Sequence, residues 1–383
     1  MSGSYGWTDT LKRVFYGPGC ASTALNTLLD TLGVRKALIV TGKSLYTKTD
    51  VISKIEEILK ARDAYAGVFT EMGEHTPIAG INACIKVFKE SGADCIVSVG
   101  GGSPIDGAKA VRYHIHAQLG GDAPPPQIAI PTTLSAAEYS IGAGYTDESG
   151  NKVAVSHQLL APTGDHSRRR TDACYTPTPL YFIGAPRRRS LASASRSVAQ
   201  VSAILSFASE NQYRPLVSPP VKTLGLAALA DFFKYLPLCM NDPNNVQVRQ
   251  KLLIAAWMSL WPTKYEKYSA LGLSHALGHR LGATYGIPHG ITSCLTLAPV
   301  VALQSRIASP DDKECLASAL FYLHEPSTGS VDGDILKLSE LIAGLVETLG
   351  LKSTLSEYKV PREDFVKLAQ GQEEVVELLN GIY

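Results

Sequence analysis

The sequence predicts an α/β domain with a parallel sheet, followed by an all-helical domain. Short apolar runs alternate with amphipathic helical stretches up to about residue 160. Helical spacing alone continues from about residue 215. Length agrees, because 383 residues exceed what one hydrophobic core usually serves.

The elements follow in order. Lys36-Ala-Leu-Ile-Val-Thr41 is a short apolar run before Gly42, as a buried strand requires. From Thr49 to Ala61, Val51, Ile52, Ile55, Ile58 and Leu59 form one helical stripe. Ala66–Thr70 reads as a second strand, and Pro77–Ser91 as a second helix with Ile78, Ile81, Ala83, Cys84, Val87 and Phe88 inward. Asp94–Val99 is a third strand, and Ser103-Pro104 opens a helix running to about His116. Gln127–Pro131 is a fourth strand. Helices are then expected at Val221–Leu236, Val246–Leu260, Ser269–Tyr285, Leu295–Ala308, Leu336–Leu349 and Arg362–Leu379, with Gly350 and Gly381 as stops. The expected domains are 1–160 and 211–383, joined by an atypical linker, 161–210. That linker holds Arg168-Arg-Arg170, Arg187-Arg-Arg189 and a Ser/Ala run, Ser190 to Ser197. A solvated linker explains it more simply than a basic anion-binding loop. A frameshift or retained intron is another source, which sequencing of the transcript tests.

Composition narrows the function. With 45% hydrophobic and 19% charged residues the chain is ordinary for a soluble globular protein. A net charge of +1 argues against nucleic acid or an anionic membrane as the main partner. The seven cysteines contain no C-x-x-C pair, so neither a zinc knuckle nor a disulfide framework is expected, and a reducing compartment fits. No signal-peptide core opens the chain, and no apolar run approaches the ~20 residues of a membrane span.

Three segments carry chemistry. Gly100-Gly101-Gly102-Ser103-Pro104-Ile105-Asp106 follows a strand and opens a helix, where glycines and free N–H groups suit a dinucleotide pyrophosphate. It is not G-x-G-x-x-G, and a plain glycine turn is the simpler alternative. Lys109, one turn on, adds charge there or is solvated. Pro131-Thr132-Thr133, with Ser135 and Glu138 beyond, brings hydroxyls to the same sheet edge. His275 and His279 share a helix face, and His289 follows a Gly-Ile-Pro break that can fold it back toward them. Such imidazoles suit a divalent metal or proton transfer, unless they are unrelated histidines on a glycine-rich helix pair.

Jointly, these segments resemble the iron-containing alcohol dehydrogenase family, especially its maleylacetate reductase branch. The matching residues are Phe15-Tyr-Gly-Pro-Gly19, Gly100 to Asp106 with Lys109, Pro131-Thr-Thr133 with Glu138, Tyr145-Thr-Asp147 with Lys152, and the three histidines. His75-Thr-Pro77 is similar to the His-x-Pro segment of that branch. The resemblance implies a Rossmann-like first domain, a helical second domain of dehydroquinate synthase-like architecture, and an active cleft between them. It implies hydride transfer from NAD(H) or NADP(H). Gly101, Gly102, Ser103 and Asp106 would hold pyrophosphate and ribose, and Thr132, Thr133 and Ser135 would contact phosphate and nicotinamide. His275 and His289 would be two of four ligands to iron or zinc, and His279 would handle protons. A cytoplasmic homodimer acting on a small molecule is also implied.

The chain departs from the family at the other two ligands, an Asp and a His four apart and just ahead of a Glu. Counting back from Glu210 puts Ala203 and Phe207 there, and a shifted register gives Val198 and Ser202. No Asp lies between Asp172 and Asp231, and no His between His166 and His275. Two imidazoles alone make a poor site, since three or four protein ligands are usual. The expectation is therefore NAD(P)H-dependent reduction of a small, acidic, unsaturated or keto substrate, in aromatic catabolism or secondary metabolism. The alternatives are a nucleotide-binding homologue without that activity, and a lyase or synthase on the same broad fold. At the first strand's end stands Thr41-Gly42-Lys43-Ser44, where NAD-specific relatives often carry an acid. Gly42 removes a charge that would repel a 2′-phosphate, and Lys43 and Ser44 are candidates to accept it.

Overall fold

The computed structural model describes residues 13–15, 20–73, 76–118, 123–133, 135, 137–140, 142–149, 152–157, 160, 174–175, 205–206, 208–243, 245–260 and 271–383. The chain divides into two compact units, residues 1–188 with 263–266, and residues 189–262 with 267–383.

The first unit is a parallel six-stranded sheet: β1 (Arg13–Val14), β2 (Ala37–Val40), β3 (Tyr65–Phe69), β4 (Cys95–Gly100), β5 (Gln127–Pro131) and β8 (Cys174–Tyr175), in the order β1-β8-β5-β4-β2-β3. Every residue of β2, β4 and β5 is buried, which is why each reads as an unbroken apolar run. Alternation splits the core between the two faces. Ala37, Ile39, Val97 and Val99 pack with α1 (Ala21–Leu32) and α3 (Val51–Lys60). Leu38, Val40 and Ile96 pack with α4 (Ile78–Glu90) and α5 (Gly102–Gln118). A short helix, α2 (Lys43–Lys48), follows β2.

Strand order reverses between β2 and β4. Doubly wound sheets bind ligands at the carboxyl ends of such a pair. Two buried cations on α5 fix the surrounding chain. Arg112 donates to the carbonyls of Pro125 and Leu160. Lys109, expected to be a phosphate partner or solvated, is instead wholly enclosed and donates to Asp106, Ala137 O, Ser140 Oγ and Gly142 O. A buried ammonium needs this many acceptors.

One hairpin was not foreseen: β6 (Gly142–Thr146) pairs antiparallel with β7 (Lys152–Ser156). Just after β6, Asp147 Oδ1 accepts from Ser149 N at 2.9 Å, a side-chain turn.

The second unit is helical. Its main helices are α6 (Pro219–Asn241), α7 (Val246–Leu260), α8 (Leu273–Tyr285), α9 (His289–Ile307), α10 (Pro310–Ala317), α11 (Ala319–Tyr322) and α12 (Val331–Thr348). By length and composition α6 and α9 would pass for membrane spans, but α9 is largely buried. It begins at His289 rather than Leu295, because Pro288 caps it. The single helix expected over Arg362–Leu379 is two, α13 (Phe365–Leu368) and α14 (Glu373–Gly381), separated at Gln370 and Gly371, which both have positive φ. Leu277, Leu281, Leu295, Val300, Phe365 and Leu379 form the core around α8 and α9.

Candidate functional sites

In the first unit, the carboxyl edge of the sheet gathers the nucleotide-binding candidates. Gly100 has φ +148°, and a Cβ there would lie 2.7 Å from Pro104 Cγ. A Cβ on Gly101 would lie 3.0 Å from Thr133 Oγ1, and one on Gly102 would lie 3.7 Å from Ser135 Oγ. Thr132 N donates to Gly100 O at 2.8 Å. The glycine loop and the Pro-Thr-Thr segment are thus one surface. Ser103 and Asp106 lie in the opening turns of α5, which starts at Gly102, one residue ahead of the expected cap. The Asp106 carboxylate, half-buried, lies 3.0 Å from Lys109 Nζ. Burial pushes its pKa up, and Lys109 opposes this. Gly42 precedes α2 and bridges to Glu71.

The hydroxyls decide what this edge can hold. Thr133 Oγ1 and Ser135 Oγ are buried with no hydrogen-bond partner among the described residues, and so is Thr41 Oγ1 at the end of β2. Buried polar atoms are normally paired, so three orphans at one sheet edge mark a place for a polar ligand. Their types and position fit a dinucleotide. The sequence reading included Thr133 and Ser135 but missed Thr41, whose signal is its place directly after a buried strand.

In the second unit, α8 carries His275 and His279, and α9 opens with His289. Ring centroids lie 5.6 Å apart for His275 and His289, and 5.5 Å apart for His279 and His289. The three expected imidazoles therefore converge. His275 is buried, whereas His279 and His289 meet solvent. Surrounding protein first, and the two neighbouring imidazoles second, push the His289 pKa down. Solvent at the ring softens that shift, yet its direction keeps His289 neutral at pH 7.

Glu210, used in the sequence only to count register, is central here. Its Oε2 lies 2.6 Å from His275 Nδ1, and its Oε1 accepts from Ser274 N at 2.7 Å and His275 N at 3.3 Å. Tyr213 Oη donates to the same carboxylate at 3.4 Å. Burial and the nearby Glu210 raise the Tyr213 pKa well above its ordinary value. Gly272 makes this approach possible, because a Cβ there would overlap the Glu210 carboxyl group. One signal was visible in the sequence: Glu210 is the only acid between Asp172 and Asp231.

Iron or zinc does not fit the described residues. Among the described residues no group of three or more His, Cys, Asp or Glu side chains is arranged to hold a metal ion. Ala203 and Phe207 lie outside the described residues, and neither side chain carries a donor atom. Arg168–Arg170, Arg187–Arg189 and His75 also lie outside them.

Comparison with known proteins covers both units. Residues 12–163 match the model for iron-containing alcohol dehydrogenase, and residues 201–377 match the C-terminal model of the Fe-containing alcohol dehydrogenase family. A maleylacetate reductase from Rhizobium sp. (strain MTP-10005) is 26% identical over 254 residues, 66% of this chain and 63% of the relative. The match thus spans under two thirds of that protein's length. Among solved structures, an alcohol dehydrogenase from Oenococcus oeni is similar with a TM-score of 0.84 at 22% identity, covering 99% of this chain and 100% of the other. Sulfoacetaldehyde reductase from Bifidobacterium kashiwanohense, in complex with NAD+, is similar with a TM-score of 0.78 at 20% identity, covering 100% and 99%.

Proposed function

The chain belongs to the iron-containing alcohol dehydrogenase family, and from that premise we propose that it is an NAD(P)H-dependent reductase of a small, acidic, unsaturated or keto substrate. The observation that carries the reading is the set of orphaned hydroxyls, Thr41, Thr133 and Ser135, beside the Gly100–Gly102 cradle. When bound, the nicotinamide supplies a hydride to the substrate carbon. Gly101, Gly102 and Ser103 at the α5 N-terminus hold phosphate, because free N–H groups and the helix dipole favour an anion. Thr132, Thr133 and Ser135 donate hydroxyl hydrogen bonds, and Asp106 keeps Lys109 and α5 in place. Gly42 leaves room for a 2′-phosphate, so both NADH and NADPH are accepted.

His279 delivers the proton that completes the reduction. It is the solvent-facing member of the α8 pair, so it exchanges protons with water. The reaction balances as hydride from the cofactor plus one proton from His279, giving NAD(P)+ and a reduced C=C or C=O bond. No Lewis acid takes part in this scheme, because the described residues complete no ligand set. Maleylacetate is the first candidate substrate, since relatives of that name match this chain. On resemblance alone, we also propose a homodimer in the cytoplasm.

A second reading has its own observation. Ala203 and Phe207 stand where the family's metal donors belong, as in a homologue that binds nucleotide without turning it over. One assay separates the two. Purified protein is mixed with NADH or NADPH, maleylacetate and a panel of aldehydes, with and without iron or zinc, and nicotinamide absorbance is followed. Metal-free turnover of maleylacetate supports the reductase. Cofactor binding with no turnover of any substrate supports the second reading.

A further inference from the structure

We propose that Glu210 is a positioning residue that sets the hydrogen-bonding polarity of the histidine face. It holds His275 with its proton on Nδ1 and presents Nε2 as a proton acceptor. The consequence for turnover rests on the reductase reading above; the tautomer does not.

The assignment follows from what each partner can do. Glu210 Oε1 meets the backbone N–H groups of Ser274 and His275, which only donate, so Oε1 is held as an acceptor. Those groups open α8, where the helix dipole favours a carboxylate. As the carboxylate that this helix start favours, Glu210 accepts at Oε2 as well, and at 2.6 Å from Nδ1 this places the ring proton there. A neutral imidazole protonated at Nδ1 carries its lone pair at Nε2. His289 is the neighbouring ring, and His279 lies beyond it. Glu210 touches neither substrate nor cofactor in this scheme. It acts through His275.

Glu210→Gln tests the polarity with little change of shape. In the variant the amide oxygen stays on the two backbone N–H groups, because an NH2 group there would meet only donors. The amide NH2 therefore turns to His275 Nδ1, which must accept, and the ring proton moves to Nε2. Long-range proton–nitrogen spectra of full-length protein carrying 15N-histidine read this directly, with His275 assigned from its loss in His275→Gln. In the parent, Nδ1 is expected to give the protonated signal and Nε2 the unprotonated one, and Glu210→Gln is expected to exchange them. Turnover is expected to fall about 10- to 100-fold, with the KM for NAD(P)H unchanged. Protonation of Nε2 in the parent overturns the proposal without recourse to any variant. So does a folded Glu210→Gln protein that keeps the parent tautomer, or that exchanges it at full turnover. A parent with the expected tautomer but no turnover of any substrate removes the reductase reading and leaves the Glu210–His275 assignment standing.

Discussion

Glu210 and His275 meet at 2.6 Å inside the helical unit although 65 residues separate them in the chain, and neither side chain reaches solvent. The same carboxylate caps the first turn of α8. Glu210→Ala strands two backbone N–H groups and one imidazole nitrogen in a buried place. The variant is expected to lose about 2–4 kcal/mol of stability, read as a lowered denaturant midpoint. A loss below about 0.5 kcal/mol would show that water replaces the carboxylate freely.

Gly272 makes room for that carboxylate. Its φ of −67° suits any residue, so only space forbids a side chain. Gly272→Ala places a methyl group against Glu210 and is expected to cost about 1–3 kcal/mol. Gly286 is the control. A Cβ there meets nothing within 4 Å, but its φ is +67°. Gly286→Ala is expected to cost about 1 kcal/mol, through the backbone alone. Thermal melts of a double variant, Gly272→Ala with Glu210→Ala, separate the two causes, since the clash vanishes when Glu210 is shortened.

Particular residues show what the sequence carried. Strands β2, β4 and β5 were legible because burial on both faces leaves an unbroken apolar run, and the glycine loop was legible because φ and space restrict Gly100, and space restricts Gly101. The convergence of His275 with His279 follows from helical spacing. Glu210 was not legible as a partner of His275, because a contact across 65 residues leaves no periodic trace. The start of α9 was placed late because Gly290, Thr292 and Ser293 are weak helix formers, although Pro288 stands at the N-cap position. The β6–β7 hairpin was hidden because Gly142 and Gly144 weaken the strand pattern.

Thr133→Val and Ser135→Ala separate binding from folding. Each removes a buried hydroxyl that has no partner among the described residues, so the free protein is expected to keep or slightly gain stability. Cofactor affinity is expected to fall about 3- to 10-fold for each, corresponding to a lost hydrogen bond of roughly 1 kcal/mol. Fluorescence titration with NADH and NADPH measures it. Lost stability with unchanged affinity would mean that these hydroxyls serve the fold.

Asp334 supplies a pH prediction. Its carboxylate accepts from Thr328 N at 2.6 Å, Ser327 Oγ at 2.7 Å and Thr328 Oγ1 at 2.8 Å, at the start of α12. The Thr328 N–H first, and the Ser327 hydroxyl second, hold its pKa below the ordinary 3.8. The folded state binds fewer protons than the unfolded one in this range, so stability rises with pH. The contribution is complete above the unfolded value and fades as pH falls through the folded one. Asp334→Asn is expected to be less stable than the parent at pH 7 by about 1–2 kcal/mol, with the gap narrowing below about pH 4. Urea midpoints at pH 7, 5 and 3.5 measure this, and a gap that widens on acidification would reverse the sign.

Metal removal tests the histidine face most directly. A metal held in the folded state alone would stabilise it by mass action, by about 4 kcal/mol at a thousandfold excess over Kd. Stripping it would lower the melting temperature by several degrees. Neither Ala203 nor Phe207 carries a donor atom, and two imidazoles, His275 and His289, would hold iron or zinc poorly. Protein dialysed against a strong chelator is therefore expected to melt within about 1 °C of untreated protein. It is also expected to contain far less than one equivalent of metal by elemental analysis, and to retain its reductase turnover. Restoring Ala203→Asp and Phe207→His together is the converse experiment. If these positions correspond to the family's ligands, the double variant gains stoichiometric zinc and a chelator-sensitive melting temperature. A parent that loses both stability and turnover on chelation would show that this chain completes the site with donors from elsewhere, and would end the metal-free mechanism.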